Sequence, residues 1–335
     1  MIPADIILCD IENVVKYLPA LKTTGLFQKY YLSSYNHKRD FQRLQEETST
    51  VTPKDVLGNI ALKNVYSDYF MCCAQSVLQK AVFFSLRKPS SVTLHIFEGS
   101  LSTYFENLHL RLDYPFEKGK LICNLANIYL YSPELYHGFN GEPIIEIPSI
   151  EPNSSFAAVS QSVFGKAVLP MERFIFLGDN FEEIGTATEH LKILDMFSDI
   201  VGKENIAVKV HPLLSDIYKE LYEIRGYHVI SDDIVWEMLA VSESKDNHVL
   251  ITVSSGAVMT PYSVGNQKIP IVVLKNLIRF SGDWYFHTPE YNSYLDSCKK
   301  LLTADRVGFF CPLSWEELKK IILYLEGELR ADEKT

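Results

Sequence analysis

Between residues 156 and 274, short apolar runs alternate with stretches of helical periodicity, and this alternation restricts the fold more than any other feature of the chain. Residues 174–177, 206–210, 228–230, 248–253 and 269–274 each read as a strand, the last of them as the final strand. Residues 156–164, 188–200, 214–225 and 234–241 read as helices, and another helix begins at 257–263. Within 188–200, Leu191, Leu194, Phe197 and Ile200 recur at helical spacing. A helical crossover brings the next strand back in the same direction, so the sheet must be parallel and doubly wound. Parallel strands are covered on both faces, which explains why these runs are continuously apolar.

Open parallel sheets gather ligands beyond the carboxyl ends of their strands. Four loops carry suitable chemistry there: Glu98-Gly99-Ser100, Gly178-Asp179-Asn180, His211-Pro212 and Ser254-Ser255-Gly256. Pro212 has no amide hydrogen for a ladder, so the strand at 206–210 ends before it and leaves His211 at the strand end. An imidazole there can hold or protonate a phosphate, or it can simply cap a loop. Two hydroxyls and free amides at a helix start suit an anion, although Ser255 could equally be an ordinary helix cap. Glu98 is a candidate base or a carboxylate in a solvated turn. Glu182-Glu183 and Asp232-Asp233 could hold a metal but fit solvated loops better. No G-x-x-x-x-G-K-[ST], G-x-G-x-x-G or G-x-S-x-G occurs, which removes the common ATPase, dinucleotide and α/β-hydrolase fingerprints.

The first half is less regular. Residues 5–9, 29–32, 91–97, 127–131 and 144–147 read as strands. Residues 65–86 read as one long helix, with Tyr66, Tyr69, Phe70, Cys73, Val77 and Ala81 at helical spacing. Residues 38–47 read as a polar loop or exposed helix, and 114–120 as a loop. The polar stretch 151–155 is the expected linker. These features divide the chain into a first domain at 1–154, a second at 155–313 and a closing helix within 314–335. Ser314 and Glu317 have the spacing of a capping box for that helix.

A length of 335 residues suits two domains. The net charge of −10 argues against nonspecific nucleic-acid binding. The six cysteines form no C-x-x-C pair, and the apolar neighbours of Cys72, Cys73 and Cys123 suggest buried thiols in a reducing compartment rather than a zinc site. With no basic, apolar leader and no run of about 18 apolar residues, a cytoplasmic location is expected.

Three of these loops also carry a resemblance. F-E-G-S at Glu98-Gly99-Ser100, V-K-V-H-P at His211-Pro212 and T-V-S-S-G at Ser254-Ser255-Gly256 resemble the motifs of bacterial sialyltransferases, most closely the lipooligosaccharide and capsule enzymes of glycosyltransferase family 52. The segments Y-L-Y-S-P-E-L-Y at 129–136, E-I-P-S-I at 146–150 and F-I-F-L-G-D at 174–179 support it. Phe97 departs from the family pattern, which has an acid there. The resemblance implies an α/β fold of GT-B type, with two Rossmann-like domains facing across a cleft. It implies an inverting, metal-independent transfer of sialic acid from CMP-sialic acid to a terminal galactoside of a surface glycan, without a cofactor. Ser254 and Ser255 would bind the CMP phosphate, and Gly99, Ser100, Gly178, Pro212 and Gly256 would be further substrate-binding positions. His211 would meet the leaving phosphate oxygen. The base would be Glu98, next to Gly99 and Ser100, or an acid of the loop holding Asp179, Glu182 and Glu183. A lipid-linked acceptor would imply peripheral association with the inner membrane face, and a homodimer is compatible with the reading. Two alternatives stay open: the same fold with a UDP-hexose donor, and a non-catalytic subunit that binds a nucleotide sugar.

Overall fold

A computed structural model of the protein describes residues 4–9, 14–33, 56–57, 60–62, 64–72, 77–86, 91–99, 101–105, 124–137, 141, 143–166, 168–180, 187–212, 214, 216–231, 235–240, 247–278 and 288–332. The chain divides into two compact units, Met1–Pro148 and Ser149–Thr335. The expected boundary at 154/155 lies inside the second unit. There Ser154 caps a helix by accepting a hydrogen bond from the Ala157 amide at 3.1 Å.

The first unit contains β1 (Asp5–Cys9), α1 (Leu18–Thr23), β2 (Lys29–Ser33), β3 (Asp68–Met71), α2 (Val77–Ser85), β4 (Thr93–Phe97), β5 (Asn124–Leu130) and β6 (Ile144–Glu146). β1 and β2 pair in parallel, and β3-β4-β5-β6 form a second parallel sheet. The structure corrects the single helix expected over 65–86: Asp68–Met71 is β3, and among the described residues of this span only Val77–Ser85 is helical. Asp68 to Met71 pair with Thr93 to Ile96, so a strand partner decides the conformation of a run whose aromatic residues favour strands. Alternation follows. Phe70 is exposed, while Met71 is buried and the Tyr69 hydroxyl donates to the Gln79 carbonyl on α2. Val56, Leu57, Leu78, Ala81 and Val82 form a core cluster against which Ile7 and Tyr69 pack. Cys72, expected to be buried, is exposed just past the end of β3, where its amide bonds to the Gln79 side chain. Cys73, Cys123 and the segments 38–47 and 114–120 lie outside the described residues.

The second unit holds α3 (Ser155–Phe164), β7 (Phe174–Leu177), α4 (Ala187–Val201), β8 (Ile206–Lys209), α5 (Asp216–Ile224), β9 (His228–Val229), α6 (Trp236–Ala240), β10 (Val249–Thr252), α7 (Thr260–Gly265), β11 (Ile271–Val273), α8 (Pro289–Ala304), β12 (Phe309–Phe310) and α9 (Trp315–Asp332). Its sheet is entirely parallel, in the order β12-β11-β10-β7-β8-β9. Counted along the unit this is the Rossmann order 3-2-1-4-5-6. Every residue of β7 and β10 is buried, as the central pair must be.

The α/β class and parallel sheets are those expected, with one further correction in this unit. The run at 269–274 is not the final strand, because α8 and β12 add another β-α-β step. β12 is only the pair Phe309–Phe310, too short to show a period. Ser314 and Glu317 do form a cap: the Glu317 amide donates to Ser314 Oγ at 3.2 Å, and Glu317 Oε2 accepts from the Leu313 amide at 2.7 Å. Among the described residues no helix is long and apolar enough to cross a membrane.

Candidate functional site

In the second unit the chain starts at β7, winds outward through β8 and β9, then returns to the other side of β7 as β10. Sheets of this order hold ligands in a crevice at such a reversal, which here falls at the carboxyl ends of β7 and β10. Asp179 and Ser254 meet there. Asp179 Oδ1 accepts from the Ser254 hydroxyl at 2.9 Å, and Oδ2 accepts from the Ser254 amide at 3.1 Å. The Thr252 hydroxyl donates to the Leu177 carbonyl at 2.9 Å and accepts from the Ser255 amide at 3.0 Å. Asp179 is 5% exposed. Burial pushes its carboxyl up to about 7, against the pull of the Ser254, Thr252 and Val253 hydrogen bonds.

This arrangement separates the two serines. Ser254 is 1% exposed, and both its hydroxyl and its amide are engaged by Asp179. Its carbonyl accepts from the Tyr291 hydroxyl at 3.2 Å. Ser255 is half-buried, and its Oγ accepts from the Ala257 amide at 3.4 Å as the N-cap of a short 3-10 turn, Gly256–Met259. Ser255 and Gly256 are thus the more accessible members of this loop. Gly178 brings the neighbouring strand end close: its amide donates to the Lys209 carbonyl at 2.9 Å, and a Cβ on it would lie 3.3 Å from the His211 nitrogen. His211 is half-buried and its carbonyl accepts from the Leu214 amide, which makes the turn at Pro212. Three adjacent strand ends therefore present Asp179, His211 and the Ser254-Ser255-Gly256 loop at one edge of one sheet.

Glu98 belongs to the first unit, directly after β4. Its Oε2 accepts from the Tyr104 hydroxyl at 2.5 Å and from the Tyr131 amide at 2.8 Å. Burial raises its carboxyl above the usual range, while these two bonds oppose the rise. Gly99 is required where it stands: a Cβ would lie 1.9 Å from the Cys72 carbonyl oxygen. Beside this loop lies a cavity of about 600 Å³ lined by Phe70, Cys72, Phe97, Tyr129, Ile145 and Pro148, among others. Phe97 lines this apolar space and meets the Tyr131 ring edge-on at 6.2 Å. Ser100, Glu182, Glu183 and the Asp232-Asp233 pair lie outside the described residues.

No family model matches the chain, and no curated protein matches it in sequence. Solved structures similar to it include the spinosyn rhamnosyltransferase SpnG, at 13% identity over 97% of this chain and 91% of that one, with a TM-score of 0.46. A second is the UDP-GlcNAc 2-epimerase of Methanocaldococcus jannaschii, in complex with UDP-GlcNAc and UDP, at 13% identity over 97% of this chain and 92% of that one, with a TM-score of 0.42. The likeness concerns the path of the chain and carries nothing about donor or reaction.

Sequence reasoning passed over three side chains. Tyr104 sits in a short 3-10 turn, Leu101–Tyr104, with no periodicity to mark it. Lys275 follows the strand at 269–274 and could have been noticed as a cation at a strand end. It is buried, donates to Asn292 Oδ1 and lies 5.1 Å from the Tyr291 ring centroid; burial lowers its pKa. Tyr291, on α8, links this group to Ser254, and the unrecognised helix hid it.

Proposed function

We propose that this protein is a GT-B-type glycosyltransferase that moves sialic acid from CMP-sialic acid to a terminal galactoside, with inversion and without a metal. The observation that carries this reading is the convergence of His211 and the Asp179-anchored serine loop at the switch point of the second sheet. Such a crevice suits a nucleotide phosphate. In this reading Ser255 and Gly256 contact the phosphate, and Asp179 with Ser254 keeps their loop in place. His211 supplies a proton or hydrogen bond to the leaving phosphate oxygen. An anionic phosphate beside the imidazole raises its proton affinity, which suits an acid near neutral pH.

Glu98 serves as the base. Burial raises both carboxyls, but both oxygens of Asp179 accept from Ser254, whereas the two hydrogen bonds to Glu98 fall on Oε2 alone. In the balanced step the acceptor oxygen bonds to the anomeric carbon and the bond from that carbon to the phosphate oxygen breaks. The electron pair leaves with CMP, and the acceptor proton passes to Glu98. Aromatic rings favour the apolar faces of sugars, so the cavity holding Phe70, Phe97 and Tyr129 suits the acceptor.

A second reading is supported by Phe97: a family motif altered at the acceptor side is compatible with a different hexosyl donor carried by UDP. Thermal stabilisation by CMP, UDP, GDP and ADP, each with and without EDTA, separates the two. We expect a shift with CMP alone, unchanged by EDTA and lost in His211→Ala and Ser255→Ala. A shift with UDP alone would sink the sialyltransferase reading.

A further inference from the structure

The Glu98 carboxylate is held by one oxygen. Oε2 receives both the Tyr104 hydroxyl and the Tyr131 amide, while Oε1 accepts no hydrogen bond among the described residues. Tyr104 is itself fixed. It is 3% exposed, its carbonyl accepts from the His137 amide at 2.7 Å, and its hydroxyl oxygen accepts from the Ser132 amide at 3.3 Å. Because Ser132 occupies a lone pair of the phenol, the phenolic hydrogen is left to point at Glu98.

We propose that Tyr104 is a positioning residue for Glu98: it anchors Oε2 and so makes Oε1 the atom that takes the proton from an acceptor hydroxyl. This rests on the reading of Glu98 as the base. The physical reason is directional. A carboxylate gripped by two donors at one oxygen cannot rotate freely, and its remaining lone pairs lie on the other oxygen. Tyr104 stays protonated through the working range, since burial and the Glu98 charge raise its pKa, so the grip does not lapse as the pH rises. A donor to the charged form also makes Glu98 easier to ionise, offsetting part of the burial effect.

The test uses the full chain labelled with ¹³C at the glutamate carboxyl carbons, with Glu98→Gln identifying the Glu98 resonance. We expect Glu98 to titrate above ordinary glutamates, and Tyr104→Phe to raise its midpoint by about one unit, a tenfold change in proton affinity. Replacing Tyr104 by 3-fluorotyrosine keeps the ring and strengthens the donor, so it should move the midpoint down; this arm holds if Tyr104→Phe folds poorly. An unchanged midpoint in both variants overturns the proposal whatever the activity. With CMP-sialic acid and a β-galactoside, Tyr104→Phe should lower kcat, leave the acceptor KM unchanged and move the acidic limb of kcat/KM to higher pH. In the Glu98→Gln background it should cost nothing further. If Glu98→Gln transfers at the wild-type rate, the base reading fails and the catalytic role of Tyr104 fails with it, although the titration would still report the anchor.

Discussion

Asp179 is buried among donors, and the same burial that orders the Ser254 loop makes it titrate near neutrality. The folded protein keeps its proton up to about 7, whereas the unfolded chain releases it near the ordinary value of 3.8. In that window the native state binds more protons than the unfolded state. The stability Asp179 contributes is therefore complete below the lower value and is lost as the pH rises through the upper one. Asp179→Asn cannot titrate, so it should flatten this part of the pH dependence by at most about 1.4 kcal/mol per pH unit. Urea midpoints taken between about pH 5 and about pH 8 give the comparison. Parallel slopes for the two proteins would mean that Asp179 is ionised throughout. The identity of Asp179, His211 and the serine pair as strand-end residues was legible in the sequence. The division of labour between Ser254 and Ser255 was not, because it depends on which of two adjacent residues turns toward a carboxylate 75 positions away in the chain.

Two glycines set how closely neighbouring strand ends approach, and they differ in kind. At Gly99 an added methyl would meet a backbone carbonyl at 1.9 Å, which no rotamer change relieves. At Gly178 the nearest atom is the His211 nitrogen at 3.3 Å, so the neighbour must yield only a few tenths of an ångström. Gly99→Ala should destabilise the protein by about 1–3 kcal/mol or more, by the mechanism of overpacking, and Gly178→Ala by less. Chemical unfolding midpoints rank them, and the reverse order would contradict the packing described. Element type was legible wherever a strand is buried on both faces, as in β7, β8 and β10, since such runs have no competing period. It failed at β3. There Tyr66, Tyr69 and Phe70 recur at a spacing that fits a helix as well as a strand, and the ladder to β4 decides. It failed again at β12, where two residues cannot show any period.

The two units also differ in what reports on them. All three tryptophans, Trp236, Trp284 and Trp315, belong to the second unit. Trp236 is buried, and its indole donates to the Ala257 carbonyl at 2.8 Å, which ties it to the turn that follows the two serines. Tryptophan emission should therefore follow the unfolding of the second unit, while far-UV circular dichroism follows both. Two compact units need not unfold together. We expect the two signals to give transitions that do not superimpose. A ligand held by the switch-point crevice stabilises only the unit that binds it. At a CMP concentration of about 100 times its dissociation constant, the gain is about 2.7 kcal/mol. CMP should then move the fluorescence transition to higher denaturant and leave the other dichroism phase where it was. A single coincident transition that moves as a whole would mean that the two units unfold as one cooperative body, and that nucleotide binding in the second is felt throughout the first.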